Sequence, residues 1–173
     1  MTNLLVLSDS HGSKNKIGDA VDRQALLPAR ERPDYIVFLG DGVRDLAVLS
    51  EYDLAASVLA VKGNCDAFGA EEIPRLLHPA FSNFRAVMMH GDAFSVKNGL
   101  ENAVRYAVDR EADLLLFGHT HRPYFARLEA GKAAYGVLLK KPLVLFNPGS
   151  IQQGSFGLIS LSEQGIVASH GSL

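Results

Sequence analysis

Two histidines stand one residue apart where an apolar run stops: Leu114-Leu115-Leu116-Phe117 leads through Gly118 into His119, Thr120 and His121. In an extended chain, positions two apart share a side, so both imidazoles are expected to turn toward one site at the strand's end. A lone histidine pair is more often a surface loop than a metal site, but here the arrangement recurs. Leu4 to Ser8 runs into Asp9, Ser10 and His11, Tyr35 to Gly40 ends in Asp41, Ser57 to Gly63 ends in Asn64, and Arg85 to Met89 ends in His90. Singly, Asp9, Asp41 or Asn64 would be an ordinary turn or cap residue. With four histidines in matching positions they make seven neutral or anionic donors, too many for one ion and suited to two. A pair of divalent cations holds a bridging hydroxide, orients a phosphate and neutralises both oxygens of an in-line displacement, so these residues point to phosphoester hydrolysis. Mixed imidazole, carboxylate and amide donors suit Mn, Fe, Zn, Ni or Co, and the lack of a thiolate cluster argues against a structural zinc.

The elements that must position these donors follow from periodicity. After Gly12-Ser13, the residues Ile17, Ala20, Val21, Ala25 and Leu26 recur at helical spacing, bounded by Pro28 and Pro33. Val43, Leu46, Ala47 and Leu49 make a short amphipathic helix before a strand at Ser57 to Lys62. Strand, helix and strand in alternation predict parallel pairing, with ligands gathered at the carboxyl ends of the strands. The segment from Asp66 through Phe68, Gly69 and Pro74 has no period and reads as a loop lining the site. Val96, Leu100, Val104, Ala107 and Val108 form the clearest helical stripe, a core face. Beyond His121, short runs such as Pro123 to Leu128, Leu143 to Phe146 and Phe156 to Leu161 carry strand and hairpin signals without helices. The expected class is α/β, a parallel-rich sheet with helices joined to a more antiparallel carboxyl-terminal portion. Without an internal repeat or linker, residues 1–173 are expected to form one domain.

Composition bounds the partners. Over 173 residues, 17 Lys plus Arg stand against 19 Asp plus Glu, a formal charge of -2 that gives no basic surface for nucleic acid. The single cysteine, Cys65, excludes an intramolecular disulfide framework and fits a reducing compartment. No amino-terminal signal pattern is readable, and no stretch reaches the ~18 apolar residues that span a bilayer. The expectation is a cytoplasmic protein without membrane association, acting on a small molecule.

The ordered blocks Asp9-Ser10-His11, Gly40-Asp41, Gly63-Asn64-Cys65-Asp66, His90-Gly91-Asp92 and Gly118-His119-Thr120-His121, followed by Asn147-Pro148-Gly149-Ser150, closely resemble the calcineurin-like metallophosphoesterases, in particular the small YfcE-type phosphodiesterases. The resemblance spans residues 4 to about 161. It implies a four-layer αββα sandwich of two mixed β-sheets flanked by helices, and a Mn-activated hydrolase that forms a homodimer or homotetramer. It also implies that Asp9, His11, Asp41 and His121 hold one metal and that Asp41, Asn64, His90 and His119 hold the other, with Asp41 bridging. Many relatives carry a histidine after the asparagine, near the leaving group. Here that place is taken by Cys65, as is common in the small subfamily. The candidate catalytic residues are thus Asn64, Cys65 and His90. A thiol with an ordinary pKa of ~8.5 donates a proton less readily than an imidazole near neutral pH, so an activated phosphodiester is the expected substrate rather than a monoester.

Other residues carry weaker expectations. Asp66 and Asp92 either orient ligand histidines or cap helices, and Arg122 either meets a phosphate or is an exposed structural arginine. His78 and His170 are expected to be solvated, and the Asn147 to Ser150 block to pack a loop beneath the site. Two other functions stand beside the diesterase: a phosphomonoesterase or nucleotidase of the same fold, and a catalytically weak metal-binding scaffold like the related retromer subunit.

Overall fold

The computed structural model describes residues 1–66 and 70–173; Phe68 and Gly69 of the expected site-lining loop lie outside the described residues. Along the chain run strands β1 (Thr2–Leu7), β2 (Tyr35–Phe38), β3 (Ser57–Ala60), β4 (Leu76–Leu77), β5 (Ala80–Phe81), β6 (Phe84–Met89), β7 (Leu114–Phe117), β8 (Pro123–Leu128), β9 (Ala133–Ala134), β10 (Val137–Leu138), β11 (Leu143–Pro148), β12 (Ser155–Ser162) and β13 (Gly165–Ser172), with helices α1 (Lys14–Ala25) and α2 (Glu101–Asp109). One large sheet has the order β13-β12-β1-β2-β3, the other β4-β6-β7-β11-β8 with β5 also on β6, and β9 and β10 pair by themselves as a two-stranded ribbon. In the first, β1, β2 and β3 are parallel, and in the second β6, β7 and β11 are parallel.

Strands buried on both faces need apolar residues at every position, which is why β1 and β7 read as unbroken runs. Leu4 and Val6 of β1 point one way and meet Met88, Leu116 and Phe146 of the opposite sheet. Leu5 and Leu7 point the other way, onto Ile17, Ala20 and Val21 of α1. Leu115 and Phe117 likewise face outward onto Ala103, Val104 and Ala107 of α2. The result is the four-layer αββα sandwich, with an apolar layer between the sheets and one beneath each helical face. Each fully buried Leu or Phe contributes about 1.5–3 kcal/mol to this arrangement.

Three details differ from the sequence reading. The carboxyl-terminal strands are mostly antiparallel, as expected, but they are shared between the two sheets. β11 inserts parallel to β7, whereas β12 and β13 return to pair antiparallel beside β1. The expected short helix after β2 is there, at Val43–Glu51, but as a nine-residue 3-10 helix. Finally, α2 begins only at Glu101, and Val96 is buried in the preceding turn against Gly91.

Candidate metal centre

All seven candidate ligands sit at one edge of the sandwich, beyond the carboxyl ends of parallel strands from both sheets. Asp9 and His11 follow β1, Asp41 follows β2, Asn64 follows β3, His90 follows β6, and His119 and His121 follow β7. Strand alternation is not what aims them. Asp9, His11, Asp41, His119 and His121 all have left-handed backbone, with φ of 55, 43, 58, 67 and 58°. Each such residue costs of order 1–3 kcal/mol and persists only where its surroundings dictate it. Here the ends are tied across strands: Asp9 N–H donates to Gly40 O (2.9 Å), His11 N–H to Asp41 O (3.2 Å) and Gly118 N–H to His90 O (3.0 Å). Gly40, at φ +93°, has no room for a side chain, since a Cβ there would come within 2.6 Å of Gly63 N.

The side chains form two adjoining groups. In the first, Asp9 Oδ1 lies 3.1 Å from His121 Nε2 and 3.9 Å from His11 Nε2, and the two Nε2 atoms are 3.3 Å apart. In the second, His90 Nε2 lies 3.3 Å from Asp41 Oδ2 and 3.0 Å from His119 Nδ1. Asp41 Oδ2 is also 3.9 Å from His11 Nε2, so this one carboxylate faces both groups. His119 and His121 therefore serve different groups, because the left-handed turns separate them. Asn64 is exposed and donates through Nδ2 to Cys65 Sγ (3.2 Å). It makes no hydrogen bond to Asp41, His90 or His119. Cys65 Sγ lies with His11 and Asp41 in a third, overlapping set.

The donors fit divalent cations. Asp9 is fully buried, yet its Oδ1 has no hydrogen-bond partner among the described residues, an arrangement that costs free energy unless a proton or cation compensates it. The facing ring nitrogens lie at distances where two lone pairs repel unless a proton or cation stands between them. His90 is oriented for such a role, donating its Nδ1 proton to Leu39 O (2.7 Å) and leaving Nε2 toward Asp41 and His119.

Electrostatics concentrate on Asp41. Burial alone would raise its pKa, but the hydrogen bond with His90, that from the Cys65 backbone N–H and the charge of His90 outweigh it and hold the carboxyl well below the usual range. Burial alone would lower His90, yet hydrogen bonding to Asp41 and the charges of Asp41 and Asp9 raise it. His119 is lowered, first by burial and then by the charges of His90 and Lys97. Burial, then the hydrogen bond and charge of Asp41, push the Cys65 thiol up to about 11.

Several residues that hold the site escaped the sequence reading in their true role. Of the two roles expected for Asp66 the structure has the cap, with Oδ1 accepting from the N–H of Gly42 (2.8 Å) and Val43 (2.9 Å) where the 3-10 helix starts, but Oδ2 also accepts from the N–H of Asp41 (2.7 Å) and Gly63 (2.9 Å), which the sequence did not announce. Asp92 instead pairs with Arg75 at 2.8 Å. Ser8 Oγ donates to Asp9 Oδ2 (2.6 Å). The Asn147 to Ser150 block does underlie the site. Asn147 Nδ2 donates to Gly118 O (2.8 Å), and Ser150 Oγ to Asp9 O (2.8 Å). His78 and His170 are exposed but not free, contacting Tyr106 Oη (3.0 Å) and Asn147 O (2.7 Å).

The calcineurin-like phosphoesterase superfamily domain matches residues 2–162, and the chain belongs to that family. A protein named probable metallophosphoesterase from Methanothermobacter thermautotrophicus is 30% identical over 148 residues, covering 84% of this chain and 74% of its own length. Phosphodiesterase YfcE of Escherichia coli K12 is 27% identical, covering 97% of both chains. Among solved structures, a conserved protein of Streptococcus pneumoniae TIGR4, described as a predicted phosphoesterase, shares the fold with a TM-score of 0.74 at 22% identity, over 99% of this chain and 89% of its own. Vps29 of Entamoeba histolytica, complexed with Zn²⁺, shares it with a TM-score of 0.69 at 20% identity, over 99% of each. No helix of the described residues is long and apolar enough to cross a membrane.

Proposed function

We propose that the chain is a binuclear metal-dependent phosphodiesterase acting on small phosphodiesters. The observation that carries this reading is the position of Asp41 Oδ2, 3.3 Å from His90 and 3.9 Å from His11, where a single carboxylate is common to two sets of donors. Asp9, His11, Asp41 and His121 would hold one ion, and Asp41, Asn64, His90 and His119 the other. Such ions, Mn foremost, supply Lewis acidity and a nucleophile available near neutral pH. The chain's own part is to place them and to meet the substrate. His90 is fixed through Nδ1 by Leu39 O, and Asn64 is turned with Nδ2 toward Cys65 Sγ. In the metal-free chain burial and Asp41 push the Cys65 thiol up to about 11, so it keeps its proton at neutral pH. A weak acid at the leaving-group side favours esters whose leaving group needs little protonation, which separates this reading from a phosphomonoesterase or nucleotidase.

The test is hydrolysis of a chromogenic aryl diester and of its monoester with a matched leaving group, in Mn-supplemented buffer. The diester is expected to turn over faster. Asp41→Asn is expected to reduce that turnover by more than about 100-fold, beyond what loss of an outer partner costs at metal sites. Turnover by the variant equal to that of the parent would refute the mechanism. Negligible turnover by the parent with every divalent ion tried would favour the scaffold reading, for which Cys65 in place of histidine is the one supporting feature.

A further inference from the structure

Between the loop that follows His90 and the loop carrying His119 and His121 lies a pocket of about 550 Å³, large enough for the organic part of a small ester. Leu100, Phe117 and Tyr124 give it apolar walls, and Lys97, Thr120 and Arg122 line it with polar groups. The walls are set. Tyr124 Oη is 2.7 Å from Tyr135 Oη, and Thr120 Oγ1, standing between the two histidines, accepts from Asn147 Nδ2 at 3.2 Å. Arg75, Arg85 and Lys141 each hold a carboxylate. The side chains of Lys97 and Arg122 have neither ion pair nor hydrogen bond among the described residues. Both are exposed and line the same pocket, so an anion placed in it meets two cations that hold no partner among the described residues.

We propose that this pocket receives the non-reacting substituent of the phosphoester and selects one that carries a second anionic group on an apolar ring or chain, with Lys97 and Arg122 as the specificity-determining cations. The proposal rests on the hydrolase reading for its link to turnover, though not for the binding itself. Two diesters sharing a p-nitrophenyl leaving group test it, one retaining phenyl and the other 3-carboxyphenyl. The parent chain is expected to favour the carboxylate-bearing ester in kcat/KM by about tenfold, as a charge-assisted contact would give, and the Lys97→Met/Arg122→Met double variant to bring the ratio close to one. No preference in the parent, or an undiminished one in the variant, overturns the proposal. A second arm measures binding of phenylphosphonate and 3-carboxyphenylphosphonate by titration calorimetry. The same tenfold ratio in the parent, shrinking with added salt, is expected; equal affinities overturn the pocket even if hydrolysis proceeds. Absence of turnover on both diesters, with the affinity ratio intact, would sink the hydrolase reading and leave the pocket standing.

Discussion

The atom that best reports the chemistry of the site is Asp9 Oδ1, buried and without a hydrogen-bond partner among the described residues while its twin oxygen accepts from Ser8 Oγ and His119 N–H. Asp9→Asn preserves the shape and removes the buried charge. In metal-free protein the variant is expected to be more stable by about 1–3 kcal/mol, the cost of leaving such a group unsatisfied. Added Mn²⁺ is expected to raise the melting temperature of the parent and not of the variant. A variant that is less stable in chelator than the parent would show that Asp9 is satisfied without an ion. The pair formed by His90 and Asp41 makes a second prediction. His90 is raised, so its contribution to metal-free stability is complete below its ordinary value and is lost as pH rises through the raised one. Asp41 is depressed, so its contribution is present above the ordinary carboxylate range and is lost only in strong acid. A cation needs His90 Nε2 unprotonated, so binding displaces a proton and affinity rises with pH. As pH rises from the ordinary imidazole range through the raised pKa of His90, metal affinity is expected to increase while metal-free stability falls, read by calorimetry and thermal melts.

At the scale of elements, the strand ends are fixed by the turns that follow them, and Asp66 is the principal fastener. Its carboxylate gathers the N–H groups of Asp41, Gly42, Val43 and Gly63, joining the ends of β2 and β3. Asp66→Ala is expected to cost about 2–3 kcal/mol in urea denaturation, by leaving those donors unpaired, and to weaken metal binding although Asp66 is not a ligand. Full stability with unchanged metal affinity would contradict this role. The sequence announced the strands because burial on both faces writes itself as unbroken apolar runs, and it announced the donors because they stop those runs. It did not announce how the donors are aimed. His119 and His121 read as strand-mates facing one way, yet left-handed backbone sends them to separate groups. That conformation is dictated by partners distant in sequence, as is the reach of Asp66 across 23 to 25 positions. Lys97 gave no signal at all, being one exposed lysine among several until the fold set it beside Thr120 and Arg122.

For the molecule as a whole, the decisive fact is that each donor group straddles the seam between the sheets. Asp9 and His11 come from one sheet and His121 from the other; Asp41 comes from the first, and His90 and His119 from the second. Bound ions would therefore clamp the sheets at one edge, and at about 100 times the dissociation constant they would add about 2.7 kcal/mol to the stability of the parent. The linkage runs both ways, so loosening the layer between the sheets should weaken metal binding, whereas equal damage to an outer layer should not. β7 offers a matched pair. Leu115 and Leu116 are adjacent and fully buried, but Leu115 faces α2 and Leu116 faces the opposite sheet. Each change to alanine is expected to cost about 2–5 kcal/mol in urea denaturation. Leu116→Ala alone is expected to lower Mn²⁺ affinity measurably, because the cavity it leaves lies in the seam the ions close. Equal loss of affinity in the two variants would mean that β7 acts on the site only by carrying His119 and His121, with no part played by the contact between the sheets.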